Sequence, residues 1–417
     1  MAWIHVAVTA AVAFFALDPA QAQIGPLQPV QPSIIDEMYR PQPQRWGEVG
    51  SPPPENMVNR IVAEGEAFDL AIDPGGLPVL AFIDDFFKLQ VRKWDGHEWA
   101  SLKFEVPVGF IPWAVRAASS SGNVVIAVRA THLDGFRDAT DIFRLDGSKL
   151  VRMPDPSDFS RYRSYVLAMD GQNPVFAARE GGSLDVRRWN GSRWDELGGE
   201  FVFAGLDRTD PRNPGLAVTE DGRIVVAYSR RVGNRTVISA SSWDGTRWSS
   251  FGEDIAFPAV SPSLGAGHGL EAVAAYLNGR NPEVRRRNGS NWSVPERPCT
   301  PPRGRRNFGL PSLAIRRMLR GTAAFSLADQ PMLACAFGRF NGQERTLVAR
   351  IRMPSGSWEE LGINSINGPV PLAEGRHFAF VMRADWRGRP WVAWSALGED
   401  GWNVRVSTLF PLNDAKP

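Results

Sequence analysis

The side chains of this 417-residue chain best suited to chemistry follow a shared spacing. Arg129 and Arg179 each lie two residues beyond an alanine, Ala127 and Ala177, and Arg230 lies three beyond Ala227. Three guanidiniums at one height would form a positive arc suited to bidentate binding of carboxylates or phosphates. Asp84, Asp85, His132 and Glu180 fall in equivalent places. Such acids could serve a glycan-cleaving site, or Asp134, Asp141 and Glu180 could simply neutralise the arginines. Trp402 reads as a loop aromatic, open to stacking on a ligand. The single histidines His132, His268 and His377 have no metal-ligand spacing, so neither metal nor cofactor is expected. No nucleophile elbow, zinc-protease helix or phosphate-binding loop is present.

These residues need elements to hold them. Asp95-Gly96, Asp146-Gly147, Asn190-Gly191, Asp244-Gly245 and Asn288-Gly289 each follow a short β-rich run. Such dipeptides signal hairpins, with a type I′ turn that needs positive φ at both central residues. Three residues after each glycine stands Trp99, Leu150, Trp194, Trp248 or Trp292. The tryptophans recur in register, which points to packing between repeated units. Arg92, Arg187, Arg285 and Arg405 also share one place, and Arg92 is two residues from Trp94. Residues two apart share a strand face, so stacking of arginine on indole is expected. Asp73, Asp170 and Asp385 close the first strands and are expected to cap turns.

Upstream of each hairpin comes strand, Gly-containing turn, strand. The second strand carries an alanine at a fixed place: Ala81, Ala127, Ala177, Ala227, Ala274, Ala334 and Ala393, spaced 46, 50, 50, 47, 60 and 59 residues apart. Four antiparallel strands in about 50 residues make a propeller blade, and one blade cannot bury its faces alone. The fold class is therefore all-β, a seven-bladed β-propeller over residues 45–412. Blade seven lacks a fourth strand, while "RWGEVG" (Arg45–Gly50) is an orphan copy of the fourth-strand text "RWDELG". The N-terminal strand is thus expected to close the ring, paired with Val404–Leu409.

The repeat "LAxDxxGxPVxAW … VRRWNGSxWxxLG" resembles that of secreted bacterial β-propellers and is distantly similar to sialidase-type propellers. The resemblance covers nearly all of residues 45–410 and implies the fold and export. "WDGTRW" sits where sialidases carry an Asp-box and shares its Gly-x-x-Trp spacing. It lacks the residue between Asp and Gly, and the sialidase "F/Y-R-I-P" text is missing. Such propellers include lectins, enzymes and scaffolds, so the resemblance leaves enzymatic activity open.

The totals bound the rest. A net charge of +2 argues against a nucleic-acid partner. Only five of the 47 basic residues are lysine. Val6–Leu17 is an apolar run of signal-peptide length, and "AQA" (Ala20–Ala22) offers a cleavage site. Residues 1–22 are thus expected to be a signal peptide directing the chain to the periplasm or beyond. The run is too short to span a bilayer. Residues 23–44, rich in Pro and Gln, are expected to be an extended linker. Cys299 and Cys335 are the only cysteines, and export would permit a disulfide. The expected function is non-catalytic recognition, by a monomer, of a glycan or protein ligand of anionic character. The alternative is a glycoside hydrolase or lyase of sialidase-like type.

Overall fold

The computed structural model describes residues 44–411, except 51–66, 155–163, 199–213, 317–329, 339–344, 367–378 and several connections of one to four residues. The expected signal peptide and nearly all of the linker lie outside the described residues.

Seven antiparallel sheets follow one another around a ring, forming a seven-bladed propeller. Blade one is representative: Phe68–Ile72 lies innermost, then Pro78–Ile83, Leu89–Trp94 and Trp99–Ser101. The innermost strands of the other six blades are Phe110–Ser119, Ser164–Asp170, Gly215–Val218, Val260–Gly267, Arg306–Arg316 and Phe380–Ala384. Each touches the innermost strand before and after it, and the last touches the first. The seven repeated alanines all sit on second strands with no exposed surface. Apolar clusters lie between consecutive blades, so each core layer belongs to two units. That is why no blade is stable alone.

The chain's own N-terminal strand closes the ring, as expected. Gln44–Glu48 pairs antiparallel with Ser407–Pro411, in a register shifted slightly from that expected. The Val49 amide extends the ladder by donating to the Val406 carbonyl at 2.8 Å. Across the seam, Arg405 Nη1 donates to both Glu48 carboxylate oxygens at 2.8 and 2.9 Å.

The recurring tryptophans act as latches between blades. Trp99 Nε1 donates to the Val49 carbonyl at 2.9 Å, Trp194 to Pro154 at 2.9 Å and Trp248 to Leu197 at 2.7 Å. Trp292 donates to Phe251 at 3.3 Å and Trp46 to Leu361 at 2.6 Å. In each case the acceptor closes the blade before. A glycine follows Val49, Leu197, Phe251 and Leu361, with φ between +67° and +88°. A Cβ on Gly198 would stand 2.5 Å from Trp248 Cδ1, and one on Gly362 would stand 2.6 Å from Trp46 Cδ1. The repeated "W … LG" text is therefore one joint written in two blades.

Two blades solve the joint differently. The stretch before blade six ends without that glycine, and the Glu296 carboxylate takes the Trp358 indole at 2.7 Å. The same carboxylate accepts from Arg352 Nε at 2.8 and 3.0 Å. Blade two has Leu150 at the tryptophan position. There Lys103–Phe104, trailing from blade one, adds to Lys149–Arg152 as a short parallel fifth strand. A backbone ladder replaces the indole bond.

The hairpin tips correct the expected turn chemistry. Asp95, Asn190 and Asp244 do not adopt positive φ; their glycines alone do. Trp94 pairs with Trp99, Trp189 with Trp194 and Trp243 with Trp248, leaving loops of four residues. The Asp or Asn side chain fastens each loop. Asp244 Oδ1 accepts from the Thr246 and Arg247 amides at 2.8 and 2.9 Å. These bonds favour the ionised form and hold its pKa at about 2, below the ordinary 3.8. Asp146 and Asn288 instead end their strands at two-residue turns. Among the strand arginines, Arg405 lies over the Trp394 indole at 6.0 Å, as expected, and also reaches Glu48, while Arg187 pairs with Asp185 at 3.0 Å. Arg92 Nη1 donates to Ser101 Oγ.

Candidate functional site

Antiparallel alternation brings the ends of the second strands and the ends of the fourth strands to one face of the ring. Most of the polar residues singled out in the sequence lie there, and the structure separates them into buried and presented groups.

Asp84 follows the second strand of blade one and is buried. Its Oδ1 accepts from the Phe86 and Lys88 amides at 3.0 and 2.8 Å, and its Oδ2 from Gln90 Nε2 at 2.8 Å. Two backbone bonds close the same loop, Asp84 N to Lys88 O at 2.9 Å and Phe87 N to Asp84 O at 3.0 Å. Asp84 is therefore the loop's anchor. The loop presents Asp85, Phe86 and Phe87 to solvent, with Phe86 76% and Phe87 46% exposed. Phe87 has φ of 56°, the one positive value among described non-glycine residues. That conformation costs a bulky side chain on the order of 1–3 kcal/mol, which the anchoring bonds must offset.

Blade two carries Arg129 and His132, both buried. The Arg129 guanidinium lies 3.9 Å from the centre of the Trp113 ring, with Asp138 Oδ2 3.7 Å from its Nη2. Trp113 reaches it because the inner strand bulges between Pro112 and Ala114, which re-aims the extra residue. His132 Nε2 is 2.8 Å from Asp141 Oδ2, and Arg152 pairs with the other Asp141 oxygen. Phe110 packs edge-on against the imidazole at a ring distance of 5.5 Å. Leu133, next in the loop, is 44% exposed, and its amide donates to the Gly109 carbonyl at 3.1 Å.

The expected arginine arc takes another form. Arg230 Nη2 donates to both oxygens of Asp254 at 2.9 and 3.0 Å, and its Nε to Ser239 Oγ at 2.6 Å. Asp254 follows the outer strand of the same blade, too far along the chain to be paired with Arg230 from spacing. Arg179 is buried and lies opposite Ser164 and Leu184. Arg230 and Arg129 thus meet partners within their own blades, and Arg179 is buried. Glu180 ends its strand opposite Ser183. Its side chain, like Asp134, lies outside the described residues. Trp402 is not in a loop: it pairs with Leu397 inside the third strand of blade seven, Gly401–Pro411.

A further ion pair joins the inner strands. Arg383 Nη2 donates to Asp69 Oδ1 at 2.8 Å, and the Ala117 amide to Asp69 Oδ2 at 2.9 Å. Asp69 so binds blades seven, one and two together. The sequence signal was faint, an Asp within the apolar strand "FDLAI". Phe86 and Phe87 were also missed, though two adjacent aromatics in a turn after Asp-Asp could have been noticed. Among the described residues no group of three His, Cys, Asp or Glu side chains is placed to hold a metal ion.

The sequence matches no family model and no curated protein. Solved structures with a similar course include AofleA from Arthrobotrys oligospora, at 12% identity over 77% of this chain and 91% of that one, with a TM-score of 0.49. An Aleuria aurantia lectin in complex with Fucα1-6GlcNAc gives 16% identity, 76% and 99% coverage and a TM-score of 0.47. That lectin is a six-bladed propeller, one blade fewer than here. Trypanosoma rangeli sialidase in complex with sialic acid gives 12% identity and a TM-score of 0.46, with 76% of this chain matching 56% of the sialidase. The seven-bladed ring rests on its own strand pairing, and no residue role passes to it from these proteins.

Proposed function

We propose that this protein is an exported, non-catalytic recognition module that binds a glycan or protein ligand through the face carrying the second-to-third-strand loops. One observation carries the proposal: the groups on that face are sorted by use. Asp84, His132, Asp141 and Arg230 are closed into hydrogen bonds that build the loops. Among the described residues, side chains presented outward include Asp85, Phe86, Phe87, Leu133, Arg231 and Val232. Rigid aromatic tips set among polar neighbours suit contact, since they bury large area at small entropic cost.

The test pairs binding with turnover. Purified protein applied to a glycan array and to a panel of surface proteins should retain a ligand, and fluorogenic sialosides should stay intact. Release of fluorophore above background would replace this reading with the sialidase-like hydrolase.

A further inference from the structure

We propose that the loop Asp84–Lys88 is a contact site for a neutral sugar, with Phe86 and Phe87 as its stacking platform and Asp85 as an acceptor for sugar hydroxyls. This rests on the recognition reading above and narrows it from a glycan or protein of anionic character to an uncharged glycan.

The loop is built to display, not to bury. Its anchor, Asp84, spends both oxygens on the loop, and two further backbone bonds tie its ends. The backbone that carries the rings is therefore held before any ligand arrives. Phe87 is kept in a left-handed conformation that glycine would adopt freely. A residue free of that strain would serve a merely connecting loop better. Pyranose rings carry an apolar face of C–H bonds and a rim of hydroxyls. An exposed ring pair flanked by a carboxylate at Asp85 and an ammonium at Lys88 offers partners for both parts.

Size and charge favour a sugar over the other ligands. A five-residue tip is small beside the roughly 800 Å² each partner gives to a stable protein interface. Two cations of the face are engaged within the frame, Arg230 with Asp254 and Arg129 against Trp113 with Asp138 nearby. At the tip the exposed charges of Asp85 and Lys88 are opposite in sign, so the loop offers no net charge to an ionic ligand.

The experiment uses the full chain on an array of neutral and sialylated glycans, with affinities for the retained glycan measured by calorimetry. Three variants are compared: F86A, D85N and F87G, the last removing a ring while relieving the backbone. F86A and F87G should each weaken binding roughly tenfold. The F87G melting temperature should match or exceed that of the parent. Raising salt from about 50 to 500 mM should leave the affinity nearly unchanged. Neutral-glycan binding that all three folded variants retain would overturn the site and leave the recognition reading standing. Retention of sialylated glycans alone, lost in salt, would overturn the neutral-sugar assignment. Retention of no glycan, with a surface protein bound instead, would overturn this inference and identify the partner as protein.

Discussion

A methyl group at position 198 would decide how closely two blades meet. Gly198 has φ of +88°, and a Cβ there would fall 2.5 Å from Trp248 Cδ1. Gly96 has φ of +109° with nothing within 4 Å of its added Cβ. Gly96→Ala should therefore cost only the backbone term, about 1–2 kcal/mol. Gly198→Ala should cost about 2–4 kcal/mol, because overpacking adds to it. Denaturant midpoints of the two variants separate the contributions. The hairpin carboxylates give a second prediction. The folded-state pKa of Asp244 lies below its ordinary value, so its contribution is present above pH 3.8 and lost as pH falls toward about 2. Asp244→Asn should flatten that part of the stability–pH curve. The Asp-Gly text was legible as a turn but not as this turn. The same dipeptide serves a two-residue loop with two positive φ values and a four-residue loop where the acid binds amides instead.

Among the elements, the N-terminal strand carries the most weight for its length. Five residues supply the outer edge of blade seven, the Trp46 latch to blade six and the Glu48 pair with Arg405. Deleting residues 23–52 should lower the melting temperature sharply, whereas deleting 23–43 should leave it unchanged; calorimetry on both truncations checks this. The closure was readable because the orphan text kept its Trp and its Val-Gly ending. The parallel addition of Lys103–Phe104 was not readable. Two residues carry no periodicity, and the addition answers a missing indole in a different blade.

At the scale of the whole molecule, Cys299 lies in the passage from blade five to blade six and Cys335 in the second strand of blade six. Their Cα atoms are 6.2 Å apart, and they are placed as a disulfide. Alkylation of the denatured protein without reductant should leave its mass unchanged, and reduction should cost roughly 4 kcal/mol for a loop of this length. Blade number and core alanines were legible because they repeat, and repetition averages away local noise. The face was not. Whether Arg230 meets a ligand or Asp254, and whether Phe86 is sheltered or bare, depends on partners from other strands that no spacing reveals. The seam between first and last strands has a mechanical consequence. Gln44 lies opposite Pro411, at the end of an antiparallel pair. A pull separating the chain on either side of the ring would load one rung of that ladder at a time, as in opening a zipper. The ring should yield at low force from this corner, while a pull on Gln44 and Ser407, diagonal ends of the pair, would load all the rungs in shear and hold.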